Sequence, residues 1–252
     1  MRFSQAIIGM AIAASMGFLA GFSVRSGAAE KPASKADPAS TNISPPPPSN
    51  PKDVEPDQNS LPLDLSKQFN ADLFGGWHTP GSPNDLSELP SGLQPMLGTK
   101  FDIQGIIQLG GVTQDKPWGA KYPPSVPGIK VGTRCRRLQF LLGTGLVERD
   151  GLPIGKVVVR YADAQTREIP VVYGRHVRDW WFDPKLPRPK GGVVAWSGLN
   201  QASRLKGMAI QLYKVSWENP LPDLIVDSID LVSLMTGSAP FFIAATADVP
   251  GN

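Results

Sequence analysis

The densest group of side chains able to do chemistry lies in Tyr173-Gly174-Arg175-His176-Val177-Arg178-Asp179-Trp180-Trp181-Phe182. Indole rings stack on the apolar faces of sugars, while neighbouring Asp, Arg and His side chains bind hydroxyls, and such sites sit in loops at the rim of a sandwich. His176, Arg178, Asp179, Trp180 and Trp181 are therefore the candidate ligand-binding residues, with the stretch from Asp183 to Gly192 as a rim loop. Adjacent residues on a strand face opposite ways, so one indole of the pair belongs to the core.

Catalytic chemistry has less to work with. The two histidines, His78 and His176, are far apart, and no His-Glu-x-x-His, Gly-x-Ser-x-Gly or Cys-x-x-Cys arrangement is present to hold zinc or present a nucleophile. Gly143-Thr144-Gly145 lacks the third glycine of a dinucleotide fingerprint and reads as a turn. Asp223, Asp227 and Asp230 could supply the two carboxylates a glycosidase needs. Asp227 and Asp230 differ by three residues, however, and on a strand they point to opposite faces. The chain reads as a non-enzyme with no catalytic residue, metal site or cofactor.

Other aromatic and reactive positions read as structure. Cys135 is the only cysteine, which rules out an intramolecular disulfide, and although Arg134, Arg136 and Arg137 could activate its thiol, it reads as a small buried residue. Trp77-His78 lies in a glycine-rich loop that could form a ligand lip; one His with no second ligand nearby argues against a metal. In Trp217-Glu218-Asn219-Pro220 the Asn-Pro pair marks a turn, with Trp217 sealing one end of the fold. Trp118 and Trp196 fit either role.

The elements that must position these residues are strands. From Lys100 to Leu109, Phe101, Ile103, Gly105, Ile107 and Leu109 face one way, while Lys100, Asp102, Gln104 and Gln108 face the other, as in a half-buried strand. Gly105 in its middle suggests a bulge or a close backbone approach. Similar runs recur at about 135–142, 155–161, 167–173, 193–197, 207–215, 224–234 and 240–247, separated by Gly, Pro, Asn or Asp. Residues 157–161 and 168–173 form a hairpin through Ala162-Asp163-Ala164-Gln165, and Pro170, which has no N–H to donate, belongs at an edge or bulge. A helical turn or two from Asn84, as N-cap, through Leu89, stopped by Pro90, is the best helical candidate. Together these predict an all-β fold, a single β-sandwich or jelly-roll domain over 61–252.

The N-terminal quarter has another character. Ala6 to Val24 is an almost uncharged run of 19 residues, close to the roughly 20 needed to span a bilayer. It reads as a signal peptide over 1–29, with Gly27-Ala28-Ala29 at the cleavage position, or as a single membrane anchor through residues 6–24, with Ala13, Gly17 and Gly21 as a small-residue packing face. In both readings the rest is extracytoplasmic, in the periplasm or at the cell surface, either secreted or anchored by the N-terminus. Residues 30–60 form a disordered Pro-rich linker: nine prolines fall between Lys31 and Pro62 with no aromatic residue, a composition that cannot bury enough apolar surface to order itself. Net charge is +2 over 1–29, −2 over 30–60 and +3 over 61–252, too even for a nucleic-acid partner.

Several segments carry a resemblance. The run Phe101 to Leu109, Gly128-Ile129-Lys130-Val131-Gly132, Cys135 to Leu141, Tyr161-Ala162-Asp163, Asp179-Trp180-Trp181, Trp217 to Pro220 and Ser228-Ile229-Asp230 resemble the galactose-binding-like β-sandwich modules of exported bacterial proteins, over roughly Leu61 to Val249. Many such modules carry Tyr-x-Asp-Gly in the hairpin turn; here Ala164 replaces the glycine, and alanine resists positive φ. The resemblance implies a non-catalytic attachment that binds glycans or other proteins. The expected function is thus an extracytoplasmic carbohydrate-binding module. The alternatives are a structural or sensory ectodomain that binds another cell-envelope protein and, less favoured, an atypical carboxylate-dependent hydrolase.

Overall fold

A computed structural model describes residues 59–78, 81–115 and 121–251. The expected signal or anchor segment over 1–29 and nearly all of the 30–60 linker lie outside the described residues, as does Trp118. Among the described residues no helix is long and apolar enough to cross a membrane.

The fold is an all-β sandwich. Its smaller sheet is built from β5 (Ser125–Arg134), β12 (Ile225–Ser233), β7 (Pro153–Tyr161) and β8 (Thr166–Val172), in that order, all antiparallel. Its larger sheet runs β1 (Ser60–Pro62), β13 (Ala239–Asp248), β6 (Arg137–Gly145), β11 (Ala209–Glu218) and β10 (Val193–Gly198). Two short strands extend it, β4 (Ile107–Gln108) beside β13 and β9 (Trp181–Phe182) beside β11. A separate hairpin joins β2 (Gly92–Met96) to β3 (Thr99–Ile103), and a single helical turn, α1 (Gln201–Leu205), precedes β11.

The larger sheet is covered on both faces, and its central strands read accordingly. Phe140-Leu141-Leu142 and Phe241-Phe242-Ile243-Ala244-Ala245 are continuous apolar runs, the pattern of strands with two dry faces, where half-buried strands alternate. Phe140, Leu142, Tyr213 and Phe242 pack toward the smaller sheet against Val157, Val159, Ile169 and Ile229. Leu141, Ile210, Leu212, Phe241 and Ile243 point the other way, into a second core roofed by Leu73, Trp77, Leu86, Phe101, Ile103 and Ile106. At about 25 cal/mol per Å² of apolar surface, two such cores are the main stabilising term of the fold.

Several expectations change on this frame. The predicted strand over 100–109 is broken: β3 ends at Ile103 and β4 starts at Ile107, so Phe101 and Ile103 enter the second core while Ile107 and Leu109 enter the first. The break falls at Gly105, where an added Cβ would meet the Phe69 ring at 2.7 Å, the close approach its position suggested. Gln108, expected on the polar face, is fully buried. Its Oε1 accepts from Trp77 Nε1 at 2.8 Å and its Nε2 donates to the Leu109 carbonyl at 2.7 Å, so the amide is retained by buried partners.

Gly143-Thr144-Gly145 is no turn but the end of β6, laddered to Phe241, Pro240 and Ala239 of β13. The helical turn expected after Asn84 is absent; the helix present starts after Asn200, whose Oδ1 accepts from Ser203 N at 2.7 Å while Ser203 Oγ accepts from Asn200 N at 2.9 Å. Asn84 instead accepts a hydrogen bond from Asn200 Nδ2 at 2.9 Å. The 157–173 hairpin forms as expected, with Pro170 on edge strand β8 and Ala164 at φ +70°, a strained value for a residue with a Cβ. Asp163 holds that turn by accepting from Gln165 N at 3.1 Å.

Candidate functional site

The segment 173–182 leaves the edge strand β8, turns, and inserts into the larger sheet beside β11. Val177 pairs with Tyr173 across the turn, Asp179 bridges to Thr144 at the end of β6, and Gln211 N donates to the Trp180 carbonyl at 2.7 Å. The backbone is therefore held from both sides, and its side chains alternate.

Burial separates the tryptophans, although both touch the second core. Trp180 is 2% exposed and belongs to the second core, with its ring centroid 5.1 Å from Trp77 and 5.8 Å from Phe241. The structure places Trp180 in the core and outside the cavity lining. Trp181 lies on the rim, partly buried, with its Nε1 donating to Asn84 Oδ1 at 3.2 Å and Lys206 Nζ 5.1 Å from its ring.

Trp181 lines a cavity of about 170 Å³ that adjoins the inter-sheet core through Tyr173 and Tyr213. Gln211 and Asp179 complete its polar wall, and the rim loop closes over it with Leu186, Pro187, Arg188 and Pro189. Gln211 and Tyr213 are both buried on the same face of β11, and neither the Gln211 amide nor the Tyr213 hydroxyl has a hydrogen-bond partner among the described residues. Their polar atoms open onto the cavity, where water or a ligand with hydroxyls is the partner that suits them.

Beside Asp183, Asp179 is one of two carboxylates in the cavity lining. Burial pushes its carboxyl up to about 6, opposed by the backbone N–H of Trp181, which donates to Oδ1 at 3.2 Å. The backbone N–H of Asp179 donates in turn to the Tyr173 hydroxyl at 3.3 Å. Burial also raises the Tyr173 and Tyr213 hydroxyl pKa values, so both stay neutral donors at physiological pH.

Arg178 and His176 serve the walls. Arg178 is buried, lines the cavity and forks onto Asp150, while its Nε donates to the Pro187 carbonyl at 2.6 Å and anchors the rim loop. His176 does not line the cavity: its Nδ1 accepts from Val172 N at 3.0 Å and its ring packs where the rim loop returns at Gly191. Burial first, then Arg175, lowers its pKa, which suits a neutral imidazole acting as acceptor. The structure thus places His176 behind the cavity wall, partly buried, and outside its lining.

Tyr173, Phe182, Gln211 and Tyr213 went unrecognised as candidates. Gln211 carried a signal, since it is a polar residue at an inward position of the apolar run Ala209-Ile210-Gln211-Leu212-Tyr213. The Tyr213 contribution depended on pairing between distant strands.

Trp77, His78, Cys135, Asn219, Asp227 and Asp230 are held by packing, hydrogen bonds or ion pairs within the fold. Trp77 and His78 sit against Trp180, with His78 Nδ1 3.1 Å from Gln114 Nε2. Burial raises the Cys135 thiol to about 11, which makes it inert. Asn219 turns the chain after Trp217 and donates to the Cys135 carbonyl at 2.8 Å. Asp227 and Asp230 are paired with Lys130 and Arg160.

Fold and cavity define an all-β sandwich with a small, amphipathic cleft at one rim. No family model and no curated protein matches the chain.

Proposed function

We propose that the sandwich is a non-catalytic, extracytoplasmic module that binds carbohydrate in the cleft bounded by Trp181, Tyr173, Tyr213, Gln211 and Asp179. The observation that carries this reading is the combination of an aromatic wall with a Gln211 amide and a Tyr213 hydroxyl that have no hydrogen-bond partner among the described residues. Sugar rings need an apolar surface for their C–H face and fixed donors and acceptors for their hydroxyls. A cavity of about 170 Å³ is below the roughly 300–1,000 Å³ of drug-sized sites, which suits one ring of a longer chain. Affinity for such a ligand is modest, since hydroxyls must be desolvated for little buried area. The extracytoplasmic placement rests on the apolar run 6–24 and the Pro-rich stretch behind it.

A glycan-array screen of the protein, repeated with Trp181→Ala and Gln211→Ala, tests the reading. Binding that both substitutions abolish while the protein still unfolds in one cooperative transition supports it. If the array is blank while cross-linking in the native envelope recovers a protein partner, the structural-ectodomain alternative replaces it.

A hydrolase reading draws on one specific observation: Asp179, with its raised pKa, and Asp183 line the same cavity. Release of reducing ends from a bound glycan, lost in Asp179→Asn while binding persists, would establish that reading.

A further inference from the structure

A second, wider cleft of about 480 Å³ adjoins the first across Arg178, Pro187 and Arg188, which line both. Its other walls carry Arg175, Lys190 and Asp150. The only carboxylate there, Asp150, is engaged through both oxygens by Arg178, at 2.8 and 2.7 Å. Arg175, Arg188 and Lys190 make no ion pair with any described residue. Three uncompensated cations thus meet in one concavity, on a domain whose net charge is only +3 over 61–252.

The backbone holds them there. Gly191 N donates to the Arg175 carbonyl at 2.7 Å, and Arg178 Nε to the Pro187 carbonyl at 2.6 Å, so the 187–191 stretch is tied to the 175–178 turn at both ends. Gly174, at φ +75°, leaves the space that Asp150 occupies: an added Cβ would meet that carboxylate at 2.6 Å. The site therefore neutralises its own acid and leaves its bases free.

We infer that this cleft is an anion-recognising subsite next to the aromatic one, so that the ligand is an acidic glycan of at least two residues. One ring enters the Trp181 cavity, and the carboxylate or sulfate of its neighbour meets Arg175, Arg188 and Lys190. Guanidinium forks match the geometry of both groups. The inference rests on the carbohydrate reading and deepens it.

The test uses the full chain in mild detergent, with binding followed against polygalacturonate, carboxyl-reduced polygalacturonate, dextran and dextran sulfate at two salt concentrations. Polygalacturonate should bind at least tenfold more tightly than its reduced form, or dextran sulfate than dextran, and the pair showing the contrast names the acidic group. Arg175→Ala/Lys190→Ala, whose side chains lie outside the aromatic cavity, should erase that contrast without changing the melting temperature. Equal binding of charged and neutral polymers, or a contrast that survives the double substitution, overturns the inference and leaves the carbohydrate reading standing. Equal binding of poly-L-glutamate or DNA overturns it in favour of a general polyanion surface. If Trp181→Ala leaves polygalacturonate binding intact, it is the aromatic-cavity reading that fails, and the inference with it.

Discussion

Arg178 and Asp150 form a two-pronged ion pair, Nη1 to Oδ1 at 2.8 Å and Nη2 to Oδ2 at 2.7 Å, that links the 173–182 segment to the turn before β7. The hydrogen bonds from Arg178 hold the Asp150 carboxyl below its usual pKa, while the guanidinium carbon stands 5.7 Å from the centre of the Tyr173 ring. Because Arg178 also donates to Pro187, one side chain ties together the site wall, the rim loop and a distant turn.

Arg178→Lys keeps the charge but loses the fork, since an ammonium cannot serve two carboxylate oxygens and a carbonyl in one plane. Amide exchange over 183–191 should accelerate, with a stability loss of about 1–2 kcal/mol. Unchanged exchange there would show that the loop is held by other contacts.

The tryptophan neighbours should respond oppositely. Trp180→Ala leaves a cavity in the second core and should cost about 3–5 kcal/mol in chemical denaturation. Trp181→Ala removes a half-buried indole at the margin of that core and should cost about 1–2 kcal/mol, less than Trp180→Ala, while abolishing glycan binding.

Ile107→Asp and Gln108→Lys should both be severe. The first buries an unpaired carboxylate in the inter-sheet core; the second puts an ammonium in place of the acceptor for Trp77 Nε1. A melting temperature for Gln108→Lys near wild type would contradict the buried amide.

Two groups give opposing pH dependences. For Asp179 the folded pKa of about 6 exceeds the ordinary 3.8, so between these values the folded state binds more protons and stability falls as pH rises. For His78, burial lowers the pKa from 6.5 to about 4, so the unfolded state binds more protons and stability rises through the same window. Asp179→Asn removes the falling contribution. The variant should therefore gain stability more steeply than wild type from pH 4 to pH 6.5 and exceed it by about 3 kcal/mol above pH 7. Parallel curves in denaturant titrations would rule this out.

Cys135 should resist thiol reagents in the native state and react only on unfolding. Its burial and raised pKa leave almost no thiolate at pH 8. Rapid native labelling would show that the strand start around Cys135 opens.

Period-2 patterning and turn residues were enough to read an all-β sandwich and seven of its longer strands, because alternation and Gly, Pro and Asn punctuation are local properties of the chain. The same rule said that one of Trp180 and Trp181 must be core. It could not say which, since that depends on how the segment docks against β6 and β11, set by the Thr144–Asp179 bridge and the Gln211–Trp180 hydrogen bond. Gln108 looked exposed for the same reason: local alternation assumes one dry face, and the second core on the far side of the larger sheet buries the other. The cavity itself joins Tyr173, Asp179 and Trp181 to Gln211 and Tyr213 of a strand some thirty residues on, and only the sheet pairing brings those side chains together.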